Sequence, residues 1–119
     1  MSDEPEISID GDEQIVVAHV TGEIDLASAE AVGGELASAV PNRALGLIVD
    51  LSGTSYLDSS GVSLVFELAE RLRRRQQQLR LVVPESAPLR RVLRIVNAGG
   101  VVPIVESVEE AVAQIRAAA

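Results

Sequence analysis

Residues 45–51, Leu-Gly-Leu-Ile-Val-Asp-Leu, form an almost continuous apolar run. Such a run fits a central strand covered on both faces, the kind found in parallel sheets. A small polar segment follows over residues 52–58, and then an amphipathic stretch over about 60–75. Strand, loop and helix in this order are the front of a βαβ unit, whose crossover is right-handed.

The same alternation recurs along the chain. Residues 6–10 set Ile7 and Ile9 between polar side chains, the period of a half-exposed strand. Gly11-Asp12 is a turn signal, and residues 14–21 form a second strand, so the chain opens on a hairpin. Gly22 allows a sharp bend, and Asp25 is placed to cap a helix over about 26–40. Its apolar face is Ala29, Val32, Leu36 and Val40. Gly33-Gly34 interrupt it at ~1 kcal/mol each relative to Ala. They indicate either a weak helix or close packing on a sheet.

The helix over 60–75 buries Val62, Val65, Phe66, Ala69 and Leu72, with Leu64 and Leu68 widening the stripe. Arg71, Arg73, Arg74 and Arg75 suit its negative end. Residues 79–83 are another strand. Ser86 as cap and Pro88 in the first turn begin a helix with Leu89, Val92, Leu93 and Val96 inward. Residues 97–100 stop it. In the last strand, over 101–105, Pro103 marks a sheet edge or a bulge. Ser107 to Glu110 fits a capping box before a helix that buries Val108, Ala111, Val112 and Ile115. The order implies one α/β domain over residues 6–119, with a mixed, mostly parallel sheet, an N-terminal β-hairpin and about four helices. Residues 1–5 are expected to be loose.

Composition removes several function classes. Aromatics are 2% of the chain against 47% hydrophobic residues, so the core must be aliphatic. No cysteine is present, which excludes disulfides, thiolate metal sites and a cysteine nucleophile. All ten basic residues are arginine, which excludes Schiff-base chemistry and a P-loop lysine. The net charge of −8 argues against nucleic acid, which needs a positive contacting face. The start of the chain lacks a basic, apolar signal segment, and no apolar run approaches the ~20 residues of a membrane span. These features point to the cytoplasm, with no membrane or nucleic-acid partner and no cofactor.

Functional groups in such a sheet gather outside the carboxyl ends of the strands. Two segments there carry small polar or acidic residues, 22–25 and 52–61. A serine hydrolase would need a base, and the single histidine, His19, reads as an exposed mid-strand residue. Asp50 ends a buried strand as the phosphoaccepting aspartate of receiver domains does, but their acidic pair and lysine are missing. What remains is Asp58-Ser59-Ser60-Gly61. It is a routine helix start, with Ser59 or Asp58 as cap. It is also a place where orphan N–H groups and the helix dipole suit an anion.

The segment Val49-Asp50-Leu51-Ser52 through Leu57-Asp58-Ser59-Ser60-Gly61-Val62 resembles the signature of STAS domains, particularly bacterial anti-sigma factor antagonists. Gly22-Glu23-Ile24-Asp25 is similar to that family's turn, and Ser107 to Ala111 to its closing helix start. The resemblance covers roughly residues 6 to 116. It implies a non-enzymatic switch whose unphosphorylated form binds an anti-sigma factor that is also a serine kinase, freeing a sigma factor. Phosphorylation of Ser59 would end that binding and a PP2C-type phosphatase would restore it. Gly22, Asp25, Asp58, Ser59, Ser60 and Gly61 would form the partner surface. Ser60 is a rival acceptor. The alternative within the family is a non-phosphorylated scaffold or ligand-sensing module, stressosome-like or transport-associated.

Overall fold

The computed structural model describes residues 4–119, so residues 1–3 of the segment expected to be loose lie outside the described residues. The elements are β1 (Glu6–Gly11), β2 (Ile15–Ile24), α1 (Ala29–Ser38), β3 (Gly46–Leu57), α2 (Ser59–Arg74), β4 (Gln78–Val82), α3 (Pro88–Ile95), β5 (Ile104–Val105) and α4 (Val108–Ala118). A short 3₁₀ turn, Ala98–Gly100, lies between α3 and β5. The five strands lie in the order β1-β2-β3-β4-β5. Only the β1–β2 hairpin is antiparallel; β2, β3, β4 and β5 run parallel.

Period-two alternation sends successive side chains of each strand to opposite faces. On one face Val16, Ala18 and Val20 join Leu47, Val49, Leu51 and Leu81 in a core capped by α1, α2 and α3. On the other, Ile15, Val17, Ile48 and Val82 meet Ala111 and Ile115 of α4. The apolar run of β3 is thus buried on both sides. Among the described residues every buried hydrophobic one is Ala, Val, Leu or Ile, and Phe66 is only partly buried.

Four expectations about element bounds and caps change. Residues 52–57 are not a loop: β3 continues to Leu57 and pairs with β2 up to Ile24, with register shifts on the way. The Thr54 hydroxyl donates to the Val20 carbonyl at 2.8 Å, and a Cβ on Gly53 would stand 2.8 Å from the Thr21 methyl. Small polar side chains read as a loop because the hydrogen bonds that hold them come from the neighbouring strand. Next, α1 begins at Ala29 rather than 26, because a turn closed by Asp25 precedes it. Ser86 makes no cap; the cap position of α3 is Ala87, without a side-chain bond. The last strand keeps only Ile104–Val105, at the sheet edge next to Pro103. The capping serine of α4 is as expected, its Oγ accepting from the Glu110 N–H at 3.1 Å.

The two helical glycines separate physically. A Cβ on Gly33 would lie 2.5 Å from Leu64 Cδ1, so Gly33 lets α1 approach α2 rather than the sheet. Gly34 has nothing within 4 Å of a Cβ position. By contrast, a Cβ on Gly46 would meet the Gln78 carbonyl oxygen, which belongs to the neighbouring strand and cannot yield. Gly34→Ala should therefore stabilise the protein by roughly 0.5–1 kcal/mol, the helix-propensity difference. Gly46→Ala should destabilise it by about 1–3 kcal/mol, as overpacking does. Urea midpoints at constant m-value check both signs.

Candidate functional site

The extended pairing of β2 and β3 ends with Glu23 opposite Tyr56 and Ile24 opposite Leu57. The Asp58 N–H then donates to the Ile24 carbonyl at 3.3 Å. The turn after β2 and the start of α2 are therefore adjacent, although more than thirty residues separate them in sequence. All six sequence-selected residues, Gly22, Asp25, Asp58, Ser59, Ser60 and Gly61, lie at this end of the sheet.

Each local feature has a physical cause. Gly22 is buried with φ +90°, a conformation that an L side chain rarely adopts. Asp25 Oδ1 accepts from the Ala27 and Ser28 N–H groups at 3.1 and 3.2 Å and from the Ser28 hydroxyl at 3.1 Å. This carboxylate organises the turn one step ahead of α1. Asp58 is the N-cap of α2, with extended backbone, and its Oδ1 accepts from Ser60 N–H at 2.8 Å and Gly61 N–H at 3.2 Å. Gly61 is packed so closely on Leu57 and Ile24 that a Cβ would strike the Leu57 methyl.

Of the two serines, Ser59 is exposed and Ser60 only half-exposed. The sequence reading offers the N–H groups of Ser60 and Gly61 to an anion. The structure engages both with the Asp58 carboxylate, because a cap that comes from within the chain reaches them first. Next to Ser59, a groove between α1 and α2 is lined by Leu26, Ala29, Gly33, Ser60, Ser63 and Leu64. Leu26 is 82% exposed. Sequence reasoning gave it no role; an aliphatic residue directly after a turn carboxylate was the available signal.

His19 was read as an exposed strand residue. It is half-buried, and its Nδ1 lies 2.7 Å from Asp50 Oδ2, while Nε2 is 4.0 Å from Asp10 Oδ2. Asp50 also accepts from the Ser52 hydroxyl at 2.6 Å and its N–H at 3.0 Å. Burial pushes the Asp50 carboxyl up, but the bonds from Ser52 and His19 outweigh it and hold the group below its ordinary range. His19 lies directly opposite Asp50 in the strand pairing, which the linear sequence does not reveal. No group of three or more His, Cys, Asp or Glu residues that could hold a metal occurs among the described residues. No helix among them is long and apolar enough to cross a membrane.

The described residues thus form an α/β domain with a five-stranded mixed sheet, an N-terminal hairpin and a capped helix that begins on an exposed serine. The STAS domain family model matches residues 6–111. A Bordetella bronchiseptica protein described as a candidate anti-sigma factor antagonist, BtrV, is 30% identical over 113 residues, covering 94% of this chain and 96% of its own. The crystal structure of an anti-sigma factor antagonist from Mycobacterium paratuberculosis superposes with a TM-score of 0.83 at 23% identity, over 98% of this chain and 99% of the other. Unphosphorylated SpoIIAA, an anti-sigma factor antagonist, gives a TM-score of 0.74 at 22% identity over 94% and 97% of the two chains. A phosphorylated form of SpoIIAA, from Bacillus, gives 0.64 at 22% identity over 92% and 99%. The chain belongs to the STAS domain family.

A carboxyl whose folded-state pKa is depressed stabilises the fold above the ordinary carboxylate range and loses that contribution as pH falls through the folded value. Asp50→Asn should therefore lose less stability than the wild type between pH 7 and pH 3, measured as the shift in urea midpoint. An equal acid response in both would show that the Asp50 network contributes nothing to it.

Proposed function

We propose that this chain is an anti-sigma factor antagonist which, unphosphorylated, binds an anti-sigma factor with serine-kinase activity and so releases a sigma factor. Phosphorylation of Ser59 ends the interaction, and a PP2C-type phosphatase reverses it. The observation that carries this reading is the exposure of Ser59 at the first position of α2, one residue after a carboxylate that already occupies the next two N–H groups.

That arrangement gives the switch its physical basis. Phosphate adds about −1.5 to −2 charges and strong acceptor oxygens. Asp58 holds the Ser60 and Gly61 N–H groups, so the new charge meets a neighbouring carboxylate instead of a vacant helix start. It is driven outward, onto the surface a partner would cover. Repulsion and desolvation there act against a close interface. Ser60, half-exposed and with its N–H bound to Asp58, is the less accessible acceptor. Gly22 and Asp25 hold the adjoining turn in shape, and Leu26 adds an apolar contact beside the serine. The chain is then a substrate and regulator in the cytoplasm, not a catalyst, and needs neither cofactor, nucleic acid nor membrane. The description of BtrV and of the solved relatives as anti-sigma factor antagonists supports that part of the reading.

Intact-mass spectrometry after incubation with candidate anti-sigma kinases and ATP tests the reading. One phosphate on the wild type and none on Ser59→Ala is the expected result. Phosphate retained on Ser59→Ala would move the acceptor to another residue, Ser60 first. No phosphate with any kinase would favour the scaffold or ligand-sensing alternative. Ser59→Asp should weaken binding of the phosphorylating kinase at least tenfold, about 1.4 kcal/mol, by calorimetric titration.

A further inference from the structure

A phosphate on a serine at the start of a helix ordinarily finds two sources of compensation, the backbone N–H groups of the first turn and nearby cations. Around Ser59 both are spoken for or missing. The three N–H groups that follow it are engaged: Ser60 and Gly61 donate to Asp58 Oδ1 at 2.8 and 3.2 Å, and Val62 donates to the Asp58 carbonyl at 3.0 Å. One residue thus takes all three.

The charges that face this point are negative. Residues 22–31 and 52–70, which carry both segments of the site, contain no basic residue. They contribute Glu23 opposite Tyr56, Asp25 in the turn after β2, Glu30 of α1, and Asp58 and Glu67 on either side of the groove mouth in sequence. The groove beside Ser59 also holds Arg71, twelve residues on and so roughly 18 Å along the axis of α2. Exposed charges are largely screened beyond ~8 Å at physiological salt. α2 packs on α1, β3 and β4. The charged groups of those two strands turn to the other face of the sheet, Asp50 to His19 and Arg80 to Gln114 of α4.

We propose that Asp58 is the positioning residue of the Ser59 switch: by holding the first-turn N–H groups it keeps the phosphate off the helix and beside a carboxylate, so that the phosphate takes up a proton near neutral pH and the switch weakens as pH falls. This rests on the function proposed above and adds its regulation. A phosphoserine dianion takes its proton from solvent at a pH of about 6 and becomes a monoanion. Bonds from N–H groups would favour the dianion and lower that value; a neighbouring carboxylate disfavours it and raises it. Here the lowering contacts are occupied and the raising one is adjacent. Below the raised value the phosphoserine carries one negative charge fewer, and it opposes a close interface less.

The test uses the chain with phosphoserine inserted at position 59 during translation, which needs no kinase, and follows the phosphate by phosphorus NMR against pH. The same protein unfolded in urea is the reference. The folded wild type should titrate about 0.5 pH unit above the reference, roughly a threefold tighter hold on the proton. Asp58→Asn keeps the cap without the charge and should return close to the reference. Asp58→Ala frees the N–H groups and should titrate below it. A wild-type midpoint at or below the reference overturns the proposal, since the phosphate would then have displaced Asp58. A midpoint equally high in Asp58→Asn also overturns it. In the second arm, the ratio of partner affinities for the unphosphorylated and phosphorylated chains is measured at pH 8 and pH 6.5. It should fall at the lower pH, and fall less in Asp58→Asn. A ratio unchanged by pH, or equally changed in both proteins, overturns the regulation. If no candidate kinase binds the unphosphorylated chain, the function proposed above fails and its regulation with it, while the titration still decides what Asp58 does to the phosphate.

Discussion

The pairing of β2 with β3 is the interaction on which the rest of this structure depends. It begins at Ile15 and Gly46 and is carried, through two register shifts, to Ile24 and Leu57. Because β3 is central, its apolar side chains are shared between two cores, one under three helices and the other under α4. Lengthening the pairing beyond the buried run does something else. It brings the Asp25 turn against the start of α2, closing the gap with a backbone bond from Asp58 to Ile24. Two segments distant in sequence thereby meet at one edge of the sheet.

Two carboxylates shape that edge in related ways. Asp25 and Asp58 each turn a single oxygen onto backbone N–H groups just ahead of a helix. Such groups have no partner within the helix and would otherwise need water or a ligand. Satisfying them from within the chain has a consequence for Ser59. It follows a carboxylate that is already engaged, and its own exposed side chain stands outside that network. Charge is also distributed unevenly over the surface. By contrast α3 bears three arginines and no acid, and Val92, Ile95 and Val96 on it or at its end stay exposed, although the periodicity set Val92 and Val96 inward.

Much of this was legible in the chain itself. The helix over 60–75, the hairpin, the Ser107 cap and the aliphatic core all follow from local periodicity and composition, which act within a few residues. Misreadings occurred where a distant partner decides. Residues 52–57 look like a loop until Val20 and Thr21 are placed beside Thr54 and Gly53. Gly33 and Gly34 read alike, as a weak helix or as close packing on a sheet, until Leu64 is set against Gly33 and nothing against Gly34. His19 looks idle until the strand register sets it opposite Asp50.

The sequence by itself determined the class of fold, the order of its elements and the helix start that presents Ser59. Hydrophobic period, turn residues and capping chemistry are short-range properties, written in consecutive residues. Only the tertiary structure decided that the Asp25 turn and Asp58 meet, that the N–H groups of Ser60 and Gly61 are already taken, and that Val92, Ile95 and Val96 remain uncovered. Those outcomes depend on strand register and on how far a sheet extends, which are set by contacts between residues dozens of positions apart.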